Sequence, residues 1–471
     1  MINQMKRTKI VATIGPKSQD PEILKQLSKA GVNVYRMNFS HGDHEEHGAK
    51  MDNIRRLGLP GAILLDTKGP EVRTGEVKNP FEVKVGDKFI LTIDKGVYED
   101  TGKISVSYPE FIKDVEVGNE LLFDSVMKAK ITKMEGHDVY CEVIKGKGKI
   151  DSRRHINLMG RHVSLPTLTE TDWDDIDFGI EKKVDFIALS FCRTAKDIED
   201  LREYCTKKGH TPGIIPKIEN AEAVENIEEI VKASDGVMVA RGDLSDEFPF
   251  ARVPQVQRTI IELCREYAKP VIVATQMLAS MQNNIKPTRA EVSDVANAVY
   301  QRTSATMTSE ETAKAVDPVN TIETMAEIIN CAEEDLVSDP SMFDKEDYDD
   351  EETINEELVI SSLSVLDRTI GIDSIVVLTK SGRMADVISN ERPEYPIFAI
   401  TDNELVRNKL ALSYGVLPMM IKFDANNYEA TVEEALKAVK SSEDYKAKKC
   451  LLVSYYKANG KEYPLITVRN I

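Results

Sequence analysis

Eight short β-rich runs, most of them followed by an amphipathic helical pattern, constrain this chain more than any other feature. They are Thr8–Gly15, Asn33–Ser40, Ala62–Thr67, Asp185–Phe191, Gly213–Glu219, Gly236–Arg241, Pro270–Thr275 and Ser304–Ser309. Asn220–Ala233 shows the texture between them: Ala223, Val224, Ile227, Ile230 and Val231 fall at helical spacing, with glutamates on the other face. Strands that alternate with helices pair in parallel, because parallel neighbours need a crossover connection. Eight such units point to a closed (β/α)8 barrel. An open doubly wound sheet is the competing architecture, and periodicity alone does not separate the two.

One interval breaks the rhythm. Far more chain lies between Thr67 and Asp185 than a helix requires, and Phe81–Val85, Phe89–Ile93, Glu120–Phe123 and Val139–Ile144 are β-like. Residues 74–162 therefore read as a β domain inserted at the barrel mouth and suited to act as a lid. The barrel takes 1–73 and 163–338. The acidic, aliphatic-poor stretch that follows, 339–354, reads as a solvated linker. Beyond it, strand-like Ile375–Thr379, Ile397–Ile400 and Cys450–Val453 and helical Glu357–Thr369 and Glu404–Tyr414 make 355–471 an α/β domain.

Composition narrows the partners. With 61 Lys plus Arg against 79 Asp plus Glu, the 471-residue chain carries a formal charge of −18. That field repels nucleic acid and anionic lipid, so neither is expected as a partner, although local Lys and Arg can still take an anionic substrate. No apolar run approaches the roughly 18 residues of a membrane span, and Met1 to Lys9 leads into a strand without the apolar core of a secretion signal. Six cysteines show no paired zinc or redox spacing. Free, mostly buried thiols and a cytoplasmic location are the expectation.

In a barrel, catalytic groups sit at the C-terminal ends of the strands. The second run ends Arg36-Met37-Asn38-Phe39-Ser40, and a period of two puts Arg36, Asn38 and Ser40 on one face. The third ends Asp66-Thr67. Asn38, Ser40, Asp66 and the Thr67 carbonyl make either an oxygen cage for a hard monovalent cation or a hydrogen-bonded rim. Lys217 and Glu219 share a face of the fifth run, and Asp243 lies one strand over, after Arg241-Gly242. Two carboxylates from adjacent strands suit Mg²⁺, the rest of whose shell is water and substrate oxygen; a salt-bridge network closing the mouth is the alternative. Gly242 allows backbone N–H groups to approach an anion. Thr275, ending the seventh run, is either catalytic or bonded to its own helix's N-terminus. His41, His44 and His47 read as a solvated first helical turn rather than a transition-metal site, and Cys192 as a packing residue. A Mg²⁺ pair, Arg36, Lys217, Arg73 and an oxygen cage, with no histidine base, suit phosphoryl transfer.

The runs Lys9–Pro16, Asn38-Phe39-Ser40-His41-Gly42, Asp66–Gly75, Pro216–Asn220, Ala240–Leu244 and Ala274–Leu278 closely resemble the pyruvate kinase family. The resemblance covers nearly the whole chain. It implies a TIM barrel with an inserted β-barrel lid and a C-terminal α/β domain, acting in glycolysis as a homotetramer. The implied reaction transfers phosphate from phosphoenolpyruvate to ADP, giving pyruvate and ATP. Glu219 and Asp243 would hold Mg²⁺; Asn38, Ser40, Asp66 and Thr67 would hold K⁺, with Glu71 matching members that need that ion. Arg36 would contact the phosphate, and Lys217 would stabilise the phosphoryl group in flight. Gly242, Asp243 and Thr275 would hold the carboxylate, and Ser309 matches a serine implicated in proton delivery. Asn38, Arg73 and Arg154 would line the nucleotide site, with His41 nearby.

Departures from the family pattern accompany the match. Ser245 and Asp246 follow Arg-Gly-Asp-Leu, where the family has Gly first; Glu310 replaces the Gly after Ser309. Gln301-Arg302 replaces Asp-Gly, Thr303-Ser304 replaces Ala-Asp, Asp124-Ser125-Val126 replaces Asp-Asp-Gly, and His155 replaces Gly. Each lost Gly is a place where a Cβ strains the backbone by roughly 1–3 kcal/mol if φ is positive. Glu310 adds negative charge beside an anion site. Met384, in Thr379–Met384, and Tyr455–Tyr463 replace effector-loop features, which argues against sugar-phosphate activation. Two other readings are a diverged paralogue that binds phosphoenolpyruvate or nucleotide in a regulatory role, and a Mg²⁺-dependent aldolase on the same barrel. Arg73 and Arg154 speak against the aldolase.

Overall fold

The computed structural model describes residues 6–98, 102–158, 164–336, 351–442, 445–458 and 461–471. All eight runs are strands of one closed parallel barrel: Lys9–Thr13, Val34–Asn38, Ala62–Asp66, Phe186–Leu189, Gly213–Ile218, Val237–Ala240, Val271–Ala274 and Ala305–Thr308. Each pairs with its neighbours in chain order and the eighth closes onto the first, Lys9 beside Ala305, so the open-sheet alternative falls. Alternation decides the two faces. Val34, Leu64, Phe186, Ala188, Ile215 and Met238 fill the interior, while Tyr35, Met37, Leu65, Ile187 and Leu189 pack outward against the helices.

The barrel floor is closed by the C-terminal domain. Ala411 and Leu412 join the interior cluster, Lys9 Nζ donates to the Val416 carbonyl at 2.7 Å, and Asn408 Nδ2 donates to Asp185 at 2.8 Å. This use explains why the helix expected over Glu404–Tyr414 stops at Lys409 and gives way to a 3-10 turn, Leu410–Leu412. Leu412→Ala leaves a hole in that floor, with an expected loss of about 2–5 kcal/mol in urea denaturation.

The inserted segment is a seven-stranded sheet, ordered Ile156–Leu158, Glu120–Phe123, Met127–Glu135, Asp138–Ile150, Lys88–Thr92 and Lys103–Ser105, with Phe81–Lys84 against Asp138–Ile150. Bridges Arg73–His155 and Thr74–Val106 join its two ends, so the sheet wraps round a core that includes Phe89, Phe111, Phe123 and Ile131. The C-terminal sheet runs Val416–Met420, Ile397–Thr401, Ser374–Leu378 and Lys449–Ala458 in parallel, then Lys461–Asn470 antiparallel. Most of the expected acidic linker lies outside the described residues, but its end is not a linker: the helix Glu351–Ile370 already begins there. Acidic residues suit a helix N-terminus, which explains the early start.

Candidate active site

The strand ends converge as the period-of-two reading requires. Register sets Asn38 beside Asp66 and Arg36 beside Leu64 on the second and third strands. Arg36 is buried; its Nε meets Asp66 Oδ2 at 2.6 Å and its Nη1 donates to Thr13 Oγ1 at 2.8 Å. Lys217 Nζ lies 3.2 Å from Asp66 Oδ1, 2.8 Å from Glu219 Oε1 and 2.8 Å from Ser190 Oγ. A continuous chain of charge, Arg36–Asp66–Lys217–Glu219, therefore crosses the mouth. Burial pushes Asp66 toward the neutral form, but Arg36 and Lys217 outweigh it and hold the carboxyl below its usual range. Burial likewise works to discharge Lys217, yet Asp66, Glu219 and Asp243 keep its ammonium charged.

Glu219 is less fully compensated. Burial, opposed by Lys217 and reinforced by Asp243, pushes its carboxyl up to about 7. Glu219 and Asp243 both line a cavity of about 120 Å³ between barrel and lid, together with His155, Asn157 and Glu247. A buried carboxylate whose proton affinity is raised by burial and by a second carboxylate on the same cavity is a donor set that a small hard cation would relieve, so these residues fit Mg²⁺. Burial also lifts Glu247 to about 7, although its carboxylate accepts the Ala221 N–H at 3.3 Å. That bond ties the segment after Glu219 to the helix Arg241–Glu247, which bears Asp243.

At the remaining positions the outcome is mixed. Thr275 sits in the left-handed region (φ 70), and its Oγ1 accepts the Gly242 N–H at 2.8 Å. Thr275 thus serves a neighbouring helix instead of its own, and it already takes the Gly242 N–H expected to meet an anion. Arg241 fixes this strained turn by donating to the Thr275 carbonyl at 2.6 Å. Ser309 directly follows the eighth strand, its backbone N–H held at 2.7 Å by the buried Glu311. In the expected cage, Asn38 Oδ1 accepts the Ser40 N–H at 3.2 Å, and the Thr67 carbonyl accepts Ser190 Oγ at 2.5 Å. Asn38, Ser40, Asp66 and Thr67 come from adjacent strand ends and offer only oxygen, which suits K⁺. Ser190, which touches Asp66, Thr67 and Lys217, was missed by sequence reasoning. Its signal was the inward parity of Phe186 and Ala188 on the same strand.

The cations expected for the nucleotide are partly engaged. Glu71 grips Arg73 through two bonds of 2.8 Å, and Arg73 Nη1 donates to the Arg153 carbonyl at 2.7 Å. Arg154 reaches Asp124 at 3.1 Å. His41 is exposed, and its carbonyl meets His47 Nε2 at 2.7 Å. The solvated turn is a correction: His47 is buried and stacked on Phe39, and His44 stacks on Phe178 while pairing with Asp175. The Phe39 ring under the turn draws the His47 imidazole inward, whereas that of His44 stays half-exposed against Phe178. Among the described residues no His, Cys, Asp or Glu cluster of three or more is placed to hold a metal. Cys192 packs in the core, where burial raises its thiol pKa.

Most lost glycines carry no strain. Of Val126, His155, Ser245, Arg302 and Glu310, only Arg302 has a left-handed backbone (φ 67). Ser245 instead donates to the Gly242 carbonyl at 2.6 Å. Glu310 is half-exposed and paired with Lys314 at 2.6 Å, so its charge is offset at the surface.

A closed parallel barrel with charged side chains converging at its C-terminal mouth beneath a β lid defines a barrel enzyme. The family described as "Pyruvate kinase, barrel domain" matches residues 5–322, and "Pyruvate kinase, alpha/beta domain" matches 357–457. The chain is 41% identical to pyruvate kinase isozyme G, chloroplastic, of Nicotiana tabacum over 93% of its own length and 78% of the relative's. It is 43% identical to the pyruvate kinase of Bacillus licheniformis over 93% and 75%, and 43% to that of Geobacillus stearothermophilus over 87% and 71%. The chain belongs to the pyruvate kinase family.

Proposed function

We propose that this protein transfers the phosphoryl group of phosphoenolpyruvate to ADP, with Mg²⁺ and K⁺, giving pyruvate and ATP. The observation that carries the reading is the Lys217 ammonium, held charged between Asp66 and Glu219 beside the Glu219–Asp243 cavity. The bond from phosphorus to the enol oxygen breaks, a bond from phosphorus to a β-phosphate oxygen of ADP forms, and the enolate carbon takes a proton. Lys217 and Arg36 offset charge on the phosphoryl oxygens as they move. Thr275 and the Gly242–Asp243 backbone orient the carboxylate once the Gly242 N–H turns from Thr275 Oγ1 to the ligand, and Ser309 stands on the route of the proton. Arg73 and Arg154 take the nucleotide phosphates from the lid side, near Asn38 and His41. Glu219 and Asp243 would hold Mg²⁺, which neutralises phosphate charge when bound; Asn38, Ser40, Asp66 and Thr67 would hold K⁺. The barrel, lid and C-terminal domain limits given above, a homotetramer and a cytoplasmic location belong to the same reading; sedimentation would test the assembly.

The test is pyruvate release from phosphoenolpyruvate and ADP in a coupled assay. Turnover is expected to vanish with a chelator, to return with Mg²⁺, and to fall when K⁺ is replaced by a large organic cation. Glu219→Gln is expected to raise the half-saturating Mg²⁺ at least about tenfold. Background turnover with nucleotide binding intact would favour the regulatory paralogue.

A further inference from the structure

We infer that Asp246 is a positioning residue that latches the lid to the barrel and thereby fixes Arg154, the chain neighbour of the cavity-lining His155. Its carboxylate lies one helical turn beyond Asp243 on Arg241–Glu247, and it receives the hydroxyl of lid residue Ser125 at 2.5 Å. Asn157, from the last lid strand, approaches the same oxygen at 3.5 Å. Ser125 sits at the tip of a hairpin turn with Asp124, both left-handed (φ 59 and 44), in a geometry that favours Gly at Ser125's place. Asp124, fixed by that turn, accepts Arg154 Nη1 at 3.1 Å and the His155 N–H at 3.1 Å. The connection therefore runs from the helix bearing Asp243, through Asp246 and Ser125, to Asp124 and on to Arg154. An aspartate at 125 would set two carboxylates face to face, so the hydroxyl and the carboxylate work as a matched pair.

The role of Arg154 rests on the proposed reaction, whereas the latch itself does not, and the experiment separates them. In steady-state kinetics Asp246→Ala and Ser125→Ala are each expected to raise KM for ADP about threefold to tenfold, with kcat within about twofold. The double variant should add nothing to either single change, and Asp246→Asn, which keeps an acceptor oxygen, should recover most of the affinity. Additive effects, or an unchanged KM, would overturn the inference. Lid position is read without turnover by spin labels at exposed Lys133→Cys and Lys207→Cys, with the exposed Cys331 replaced by Ser. Asp246→Ala should broaden and lengthen the distance distribution, and Ser125→Asp should do so most. Distributions that match the parent protein would refute the latch even if catalysis fails for other reasons.

Discussion

Lys217→Met is expected to lower kcat about 10²–10³-fold, a loss of roughly 3–4 kcal/mol of transition-state stabilisation. Among the described residues Lys217 is the one cation that touches both Asp66 and Glu219, and the sulfur side chain fills its volume without its charge. The variant should still fold. Glu219, already pushed up to about 7 by burial, can take a proton when its ammonium partner goes, and Asp66 keeps Arg36. Stopped-time assays of pyruvate, with circular dichroism on the same sample, separate the two effects. Near-parental turnover would remove Lys217 from the chemistry.

The second large effect is on stability. Asp66→Ala leaves the buried Arg36 guanidinium without its counter-charge and takes one of two carboxylates from Lys217. Stranding a buried charge costs about 3–5 kcal/mol, to be measured by chemical denaturation. Arg36→Met combined with Asp66→Leu should regain much of that loss, since apolar replacement of a whole buried pair is often neutral. Activity would stay low in both, because Arg36 or its orientation is gone.

Most of the barrel was legible because strand runs and helical periodicity repeat, and interior parity is strict: Arg36, Lys217 and Glu219 fall on the predicted face. What escaped depended on contacts between distant segments. Nothing near Ser190 announces that its hydroxyl serves both Lys217 and the Thr67 carbonyl. Leu412 reads as the end of a helix until the barrel interior claims it. His47 carries a polar label but is captured by the Phe39 ring. The lost glycines misled in the opposite direction, because composition cannot tell which of them had needed a left-handed backbone; Arg302 alone does.

Ala411 and Leu412 act as a stopper for the base of the barrel. A chain cut short before them would present the bottom layer of its innermost side chains to water. The terminal quarter is thus no removable appendage to a self-sufficient catalytic body: it finishes the wall on which the chemistry at the opposite end stands.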